Sequence, residues 1–270
     1  MLKDLQNEKD SRNIKISNIG ICDYKLPISL IIGNKMYNSI CTISSNVILD
    51  ETCRGAHLSR IIAVLNESLY AKTVSLEDFN KILDETMKRS ETIGAALNIN
   101  FDIILKRLSP VSKKESFSTI NLEINNSKQD GIYKKSLSIS LIGTTLCPCS
   151  KEISKYGAHN QKCKVTVILY GNYENINFDE IVTTIENQFS ANVYSTVKRE
   201  DEKYITEEAY KNPKFSEDLI RDILINIGKV YDGKIAAELI NYESIHEHNV
   251  YAKGVINNEK KTLTKKNVQL

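Results

Sequence analysis

Apolar and polar residues alternate over residues 14–21, and a second apolar run over 28–32 breaks at Gly33-Asn34, a pair suited to a tight hairpin. Alternation resumes over 36–49. The period then changes, and Leu58, Ile61, Ile62, Leu65 and Leu69 line one face of a helix. Ser75, with Asp78 three residues on, predicts the start of a second helix carrying Leu76, Phe79, Ile82, Leu83 and Met87. Strands return over 99–108 and 117–124. Asp130-Gly131 then turns the chain into a strand over 136–141, followed by another over 164–170. Residues 178–189 have helical spacing. Asn212-Pro213 predicts a cap and first position for a longer helix whose apolar face is Leu219, Ile220, Ile223, Ile227 and Val230. Two strands, over 235–245 and 250–256, finish the pattern.

Each half therefore reads β-β-α-α-β-β. The fold class expected is α+β, as two tandem modules over 12–126 and 131–258, with tails at 1–11 and 259–270. Each module is predicted to be an antiparallel four-stranded sheet with two helices on one face. Sheets this small have exposed edges, so edge-to-edge joining into barrels within a homo-oligomer is expected.

Composition adds exclusions. The 270 residues are 41% hydrophobic and 26% charged, ordinary for a globular chain, with a net charge of +2, no dense basic stripe and no Trp. A nucleic-acid partner needs a concentrated positive field, so none is expected. No apolar run is long enough for a membrane span, and the first residues lack the core of a signal peptide. The six cysteines, at 22, 41, 53, 147, 149 and 163, then read as thiols in a reducing, cytoplasmic compartment. The Lys-rich end reads as a solvated tail.

The densest chemistry lies in the run from Leu146 to Gln161. Cys147 and Cys149 flank Pro148 at a strand end, where extended backbone would turn both thiols to one side, and His159 follows after a polar loop. A Cys and a His suit two ligands of a metal, with a carboxylate as third and an open position for water. The same spacing also serves a structural Cys pair beside a hydrogen-bonded His. Glu243, His246 and His248 form a second motif, predicted to alternate on a strand, or else an ordinary polar strand end. Arg199-Glu200-Asp201-Glu202-Lys203 reads by pattern as a solvated charge run. Glu217, in the first turn of the long helix, suits the helix dipole or the N–H edge of a guanine. His57, Ser59 and Arg60 open the first helix as amphipathic surface or as a phosphate site.

With these residues in view, the chain resembles the prokaryotic, metal-dependent GTP cyclohydrolase IB family. The likeness runs nearly end to end: Cys53-Arg54-Gly55-Ala56-His57-Leu58-Ser59-Arg60, the Cys147-Pro148-Cys149-Ser150-Lys151-Glu152-Ile153-Ser154 to His159-Asn160-Gln161 segment, Asp201 to Glu207, Asn212 to Asp218, and Asn241 to His248. It departs from the family pattern at Lys162-Cys163, Ala56 and Leu58. The resemblance implies tunnelling-fold (T-fold) modules in a homotetramer with sites at subunit interfaces. It implies one divalent metal, zinc, manganese or ferrous iron, on Cys147, His159 and Glu202. Cys149, Glu243, His246 and His248 would then handle protons beside Cys147, while Glu217, His57, Ser59 and Arg60 hold GTP. The reaction implied is hydrolytic opening of the guanine ring at C8, with formate and 7,8-dihydroneopterin triphosphate as products, the first step of tetrahydrofolate biosynthesis. An archaeal-type cyclohydrolase yielding a cyclic phosphate and a non-catalytic zinc-stabilised assembly protein are the alternatives. A related nitrile reductase would need no metal.

Overall fold

The computed structural model describes residues 4–258, so the predicted tail at 259–270 lies outside the described residues. Its organising feature is one sheet of ten strands in the order β10-β9-β7-β6-β5-β4-β2-β1-β3, with β8 paired to β6. The strands are β1 (Ile16–Ile32), β2 (Lys35–Leu49), β3 (Thr73–Ser75), β4 (Gly94–Leu108), β5 (Glu115–Gln129), β6 (Ile132–Leu146), β7 (Asn160–Tyr170), β8 (Ala191–Asn192), β9 (Lys234–Asn241) and β10 (Val250–Asn257). The helices are α1 (Leu58–Leu69), α2 (Asp78–Ser90), α3 (Pro148–Ile153), α4 (Phe178–Glu186), α5 (Arg199–Lys211) and α6 (Ser216–Val230).

The expectation of two tandem four-stranded T-fold modules is overturned by this topology. Between the two halves, Asp130 (φ 50°) and Gly131 (φ 79°) form a tight turn with both central residues left-handed, the geometry that matches strand twist. β5 and β6 therefore pair from Gln129↔Ile132 to Asn121↔Ser140, and the sheet runs straight through the expected module boundary. It is also mixed, since β1 pairs parallel with the short β3. The alternation that suggested separate strands over 14–32 belongs to one long strand. Its register slips between Ile16 and Ile19 and between Ile21 and Tyr24, near left-handed Asp23.

One face of the sheet carries the core. Ile99, Ile124, Leu137, Leu169 and Ile235 succeed one another across five strands, all fully buried. The helices pack on this face, with Phe79 and Leu83 of α2 and Ile223 and Ile227 of α6 in the same apolar cluster. The other face mixes polar and exposed apolar residues: Asn98 donates to Glu123 and Asn125, and Asn121 to Asp102, while Ile40, Ile104 and Ile142 lie open on it. No helix among the described residues is long and apolar enough to cross a membrane. All six cysteines are free, and burial pushes the Cys163 thiol up to about 12.

The polar N-terminal segment, predicted as a tail, is tied down from residue 6 onward. Gln6 donates to the Ala56 carbonyl, Arg54 pairs with Glu8, and Lys9 bridges Cys53. The second departure is α5. The charge run at 199–203 is its first turn, and Asp201 there is completely buried. Asp201 accepts from the backbone N–H groups of Val111 (2.8 Å), Ser112 (2.9 Å) and Lys198 (2.8 Å), and from the Ser112 hydroxyl (2.5 Å). It thereby clamps the β4–β5 loop to the start of α5. Burial works to raise its carboxyl, but these donors outweigh burial and hold it well below the usual carboxylate range.

Because the folded carboxyl titrates below its unfolded value, its contribution to stability is complete above about pH 5 and is lost as pH falls further. Asp201→Asn is expected to lower the urea midpoint at neutral pH. The gap to the unsubstituted protein should narrow as pH drops from about 5 toward 2. A gap that stays constant across that range would show that the carboxylate charge does not hold the clamp.

Candidate active site

Strand register determines which residues can meet. Leu146 at the end of β6 pairs with Asn160 at the start of β7, so the chain leaving one strand and entering the other must cross here. The Cys147 N–H donates to the His159 carbonyl at 3.1 Å. Cys147 is the cap of α3, with Pro148 in the first helical position, where its missing N–H costs nothing. Its sulfur accepts the Ser150 N–H at 3.4 Å. The Ser150 hydroxyl donates to the Cys147 carbonyl and accepts the His159 N–H. Cys147 and His159 are both half-buried, joined by backbone and by one serine.

This local helix corrects one expectation. Cys149 is on α3 and exposed, not two residues along an extended strand, so the two thiols do not share a side for that reason. A second correction concerns the C-terminal motif. β9 ends at Asn241, and His246 and His248 lie on an exposed loop rather than alternating on a strand. Their rings stack with centroids 5.1 Å apart. Glu243, just past the strand, is half-buried.

The same end of the sheet gathers more. Lys214 donates its N–H to the Leu146 carbonyl, which brings the start of α6 and exposed Glu217 beside the strand that bears Cys147. Ala209 and Ile205 of α5 pack with Leu146, Ala191 and Ala158. Glu202 precedes Ile205 by three and Ala209 by seven, so it shares the packing face of α5, although its own side chain is exposed. Among the described residues, no three His, Cys, Asp or Glu side chains are grouped closely enough to hold a metal ion. By donor type the fit is good. A cysteine and a histidine are joined through their backbones, and the ring engages Gln161 through Nδ1 (3.0 Å from Oε1), which leaves Nε2 as its other donor. The carboxylate predicted to join them stands on the adjoining helix without closing the set.

The proposed phosphate residues are elsewhere. His57 sits ahead of α1, its Nε2 2.9 Å from Asn7 Oδ1, and Ser59 is exposed. Arg60 donates to the Arg89 carbonyl and to Glu91 at the end of α2. A cavity of about 540 Å³ adjoins His57 and Arg60. The segment follows β2, whose Val47 aligns through Ala95 and Lys128 with Tyr133 at the start of β6. Tyr133 and Leu146 are thirteen residues apart on one strand, on the order of 40 Å. One chain does not bring His57, Ser59 and Arg60 to Cys147.

Pattern reading missed a row of buried polar residues behind the site. Gln161, Thr145, Asn241 and Ser216 are 8%, 0%, 2% and 7% exposed, and they bond to one another in that order. The available signal was the polarity of Gln161, Thr145 and Asn241 at strand positions whose neighbours point to the core.

Comparisons with known proteins agree with the sequence resemblance in kind. A family model described as "Type I GTP cyclohydrolase folE2" matches residues 2–252. The GTP cyclohydrolase FolE2 of Neisseria meningitidis serogroup C (strain 053442) is 34% identical over 254 residues, covering 93% of this chain and 84% of its own. That of Fervidobacterium nodosum is 39% identical over 256 residues, covering 93% and 96%. The crystal structure of uricase from Arthrobacter globiformis aligns with 89% of this chain and 93% of its own, at a TM-score of 0.48 and 9% identity, too loose a likeness to bear on chemistry. The matching family carries the FolE2 designation, in place of the IB designation given to the resemblance above. With 251 of its 270 residues inside that match, from 2 to 252, the chain belongs to the FolE2 family of GTP cyclohydrolases.

Proposed function

We propose that this GTP cyclohydrolase opens the guanine imidazole ring at C8 beside Cys147 and His159, releasing formate and yielding 7,8-dihydroneopterin triphosphate for folate biosynthesis. The observation that carries the placement is the hydrogen-bonded pairing of these two residues at a strand end against which α5, the helix of Glu202, packs and to which the segment leading into Glu217 is hydrogen-bonded.

Cys147, His159 and Glu202 would hold one divalent cation, zinc, manganese or ferrous iron, to which their sulfur, nitrogen and oxygen donors are suited. When bound, such a cation supplies Lewis acidity and brings the ionisation of water near neutral pH. Glu217 accepts two hydrogen bonds from the guanine N1–H and 2-amino group, orienting C8 toward the Cys147–His159 strand end. Two hydrolytic cleavages at C8 expel its carbon as formate, and the ribose carbons then rearrange and close the new ring with loss of one water. Protons must reach the departing ring nitrogens. Their delivery falls, in this reading, to Cys149, Glu243, His246 and His248, a role worth about 10²–10⁴-fold in rate.

If His57, Ser59 and Arg60 contact the triphosphate of the same GTP, a second copy of the chain must supply them, because one chain keeps them at the far end of the sheet. A homo-oligomer, a tetramer in the family resemblance, follows from that requirement.

Cys147→Ala is expected to reduce formate release by more than about 100-fold and to lose bound metal while the fold persists. EDTA should abolish turnover, and added Zn²⁺, Mn²⁺ or Fe²⁺ should restore it. Full activity in either arm, or a cyclic phosphate product by mass spectrometry, would refute this reading. Glu217→Ala should raise KM for GTP by about 10–100-fold, matching loss of charge-assisted hydrogen bonds worth roughly 1.5–3 kcal/mol. An unchanged KM would remove Glu217 from guanine recognition. His57→Ala and Cys147→Ala, each inactive alone, should regain activity when unfolded and refolded together, since mixed assemblies contain intact composite sites. No recovery in the mixture would place the whole site within one chain.

A further inference from the structure

The buried row behind His159 has a direction. Gln161 Oε1 faces His159 Nδ1 at 3.0 Å, and Gln161 Nε2 donates to Thr145 Oγ1 at 3.0 Å. The Thr145 hydroxyl donates to Asn241 Oδ1 at 3.0 Å, and Asn241 Nδ2 donates to Ser216 Oγ at 2.8 Å. The residues come from β7, β6, β9 and the first position of α6, and each is at least nine-tenths buried. Water does not compete for such groups, so each must find its partner within the protein.

We propose that Ser216, Asn241, Thr145 and Gln161 are a positioning relay that fixes His159 as its Nδ1–H tautomer, presenting an unprotonated Nε2 to the site. A hydroxyl carries one proton. With the Thr145 proton committed to Asn241 Oδ1, Thr145 can only accept from Gln161, so the glutamine amide nitrogen faces Thr145 and its oxygen faces the imidazole. An oxygen without a proton accepts only, and Nδ1 must therefore carry the hydrogen. Reversing every member would give the opposite ring, protonated on Nε2 and unable to offer a lone pair there. The far end of the relay is Ser216, one residue before Glu217, so the proposed purine anchor and the histidine are set by one network. The consequence for metal binding rests on the reading of His159 as a ligand; the tautomer does not.

Long-range ¹H–¹⁵N correlation spectra of the metal-free protein, at a pH where the ring is neutral, test this directly. The chain has four histidines, and His159→Gln assigns the signal. The expected result is an Nδ1–H pattern for His159. Thr145→Val, which keeps the shape and removes the hydroxyl, should convert it to a mixture or to Nε2–H. Thr145→Ser should restore it. A native Nε2–H pattern, or a Thr145→Val spectrum like the native one, would overturn the relay, and the native spectrum decides the matter even if a variant fails to fold. Zinc titration separates the two ideas. Thr145→Val should weaken zinc binding by about 10–100-fold, with Thr145→Ser near native. A shifted tautomer with unchanged zinc affinity would uphold the relay and refute His159 as a ligand.

Discussion

Everything proposed for this protein depends on one register, the pairing of Leu146 on β6 with Asn160 on β7. A sheet register is an all-or-none choice, because a slip of one residue sends every side chain to the opposite face. Here the buried face is filled by Leu137, Ile139, Leu141, Val165, Val167 and Leu169, so the register is held by the core. Cys147 and His159 are its first residues beyond the ladder on either side. The apolar packing thus sets two chemically reactive residues side by side on adjoining strand ends without any contact between their side chains having to supply the energy.

The same register orders the polar interior. Thr145 pairs with Gln161 across β6 and β7, and Asn241 ends the ladder of β9 beside Cys163. Buried polar residues cost stability unless matched. A row of four whose side chains bond to one another and to His159 is therefore a constraint on orientation rather than a source of net stability. Asp201 performs a related task on the other flank. It fixes the turn of α5 that carries Glu202 to the β4–β5 loop, so the carboxylate proposed to join Cys147 and His159 is anchored through its neighbour.

Periodicity made most elements legible, since α1, α2, α4 and α6 each have a continuous apolar face and the long strands alternate cleanly. It failed where the pattern was thin. α5 buries only Asp201 and Ala209, so its sequence shows charge and no stripe. Asp201 and Glu202 are adjacent carboxylates with opposite fates, one enclosed and one exposed, and nothing in the run Arg199 to Lys203 distinguishes them without the β4–β5 loop. The tandem-module reading failed for another reason. Alternation reports which face a strand buries, not which strand lies beside it, and the Asp130-Gly131 turn that joins the halves looks the same as one that ends a module. Of the site, Cys147 and His159 were legible as a motif. The relay was not, because Thr145, Gln161 and Asn241 are ordinary strand residues until their partners are known.

The exposure of the site residues bears on how the chemistry can proceed. Hydrolysis at C8 needs water delivered once per cleavage, while proton transfers to ring nitrogens work best where bulk water is excluded. In one chain, Cys149, Glu202, Glu217, His246 and His248 all face solvent. The side chains behind them, from Gln161 to Ser216, are in contrast enclosed and bonded to one another. A rigid inner wall with an open outer face is what a catalytic surface requires if its cover comes from outside the chain. The proposed second copy, bringing His57 and its cavity from the opposite end of a like sheet, would close that face and contribute the cationic edge that a triphosphate needs. Neither end would then be a complete site alone, and a sheet that keeps them on the order of 40 Å apart would be the means by which one chain serves two.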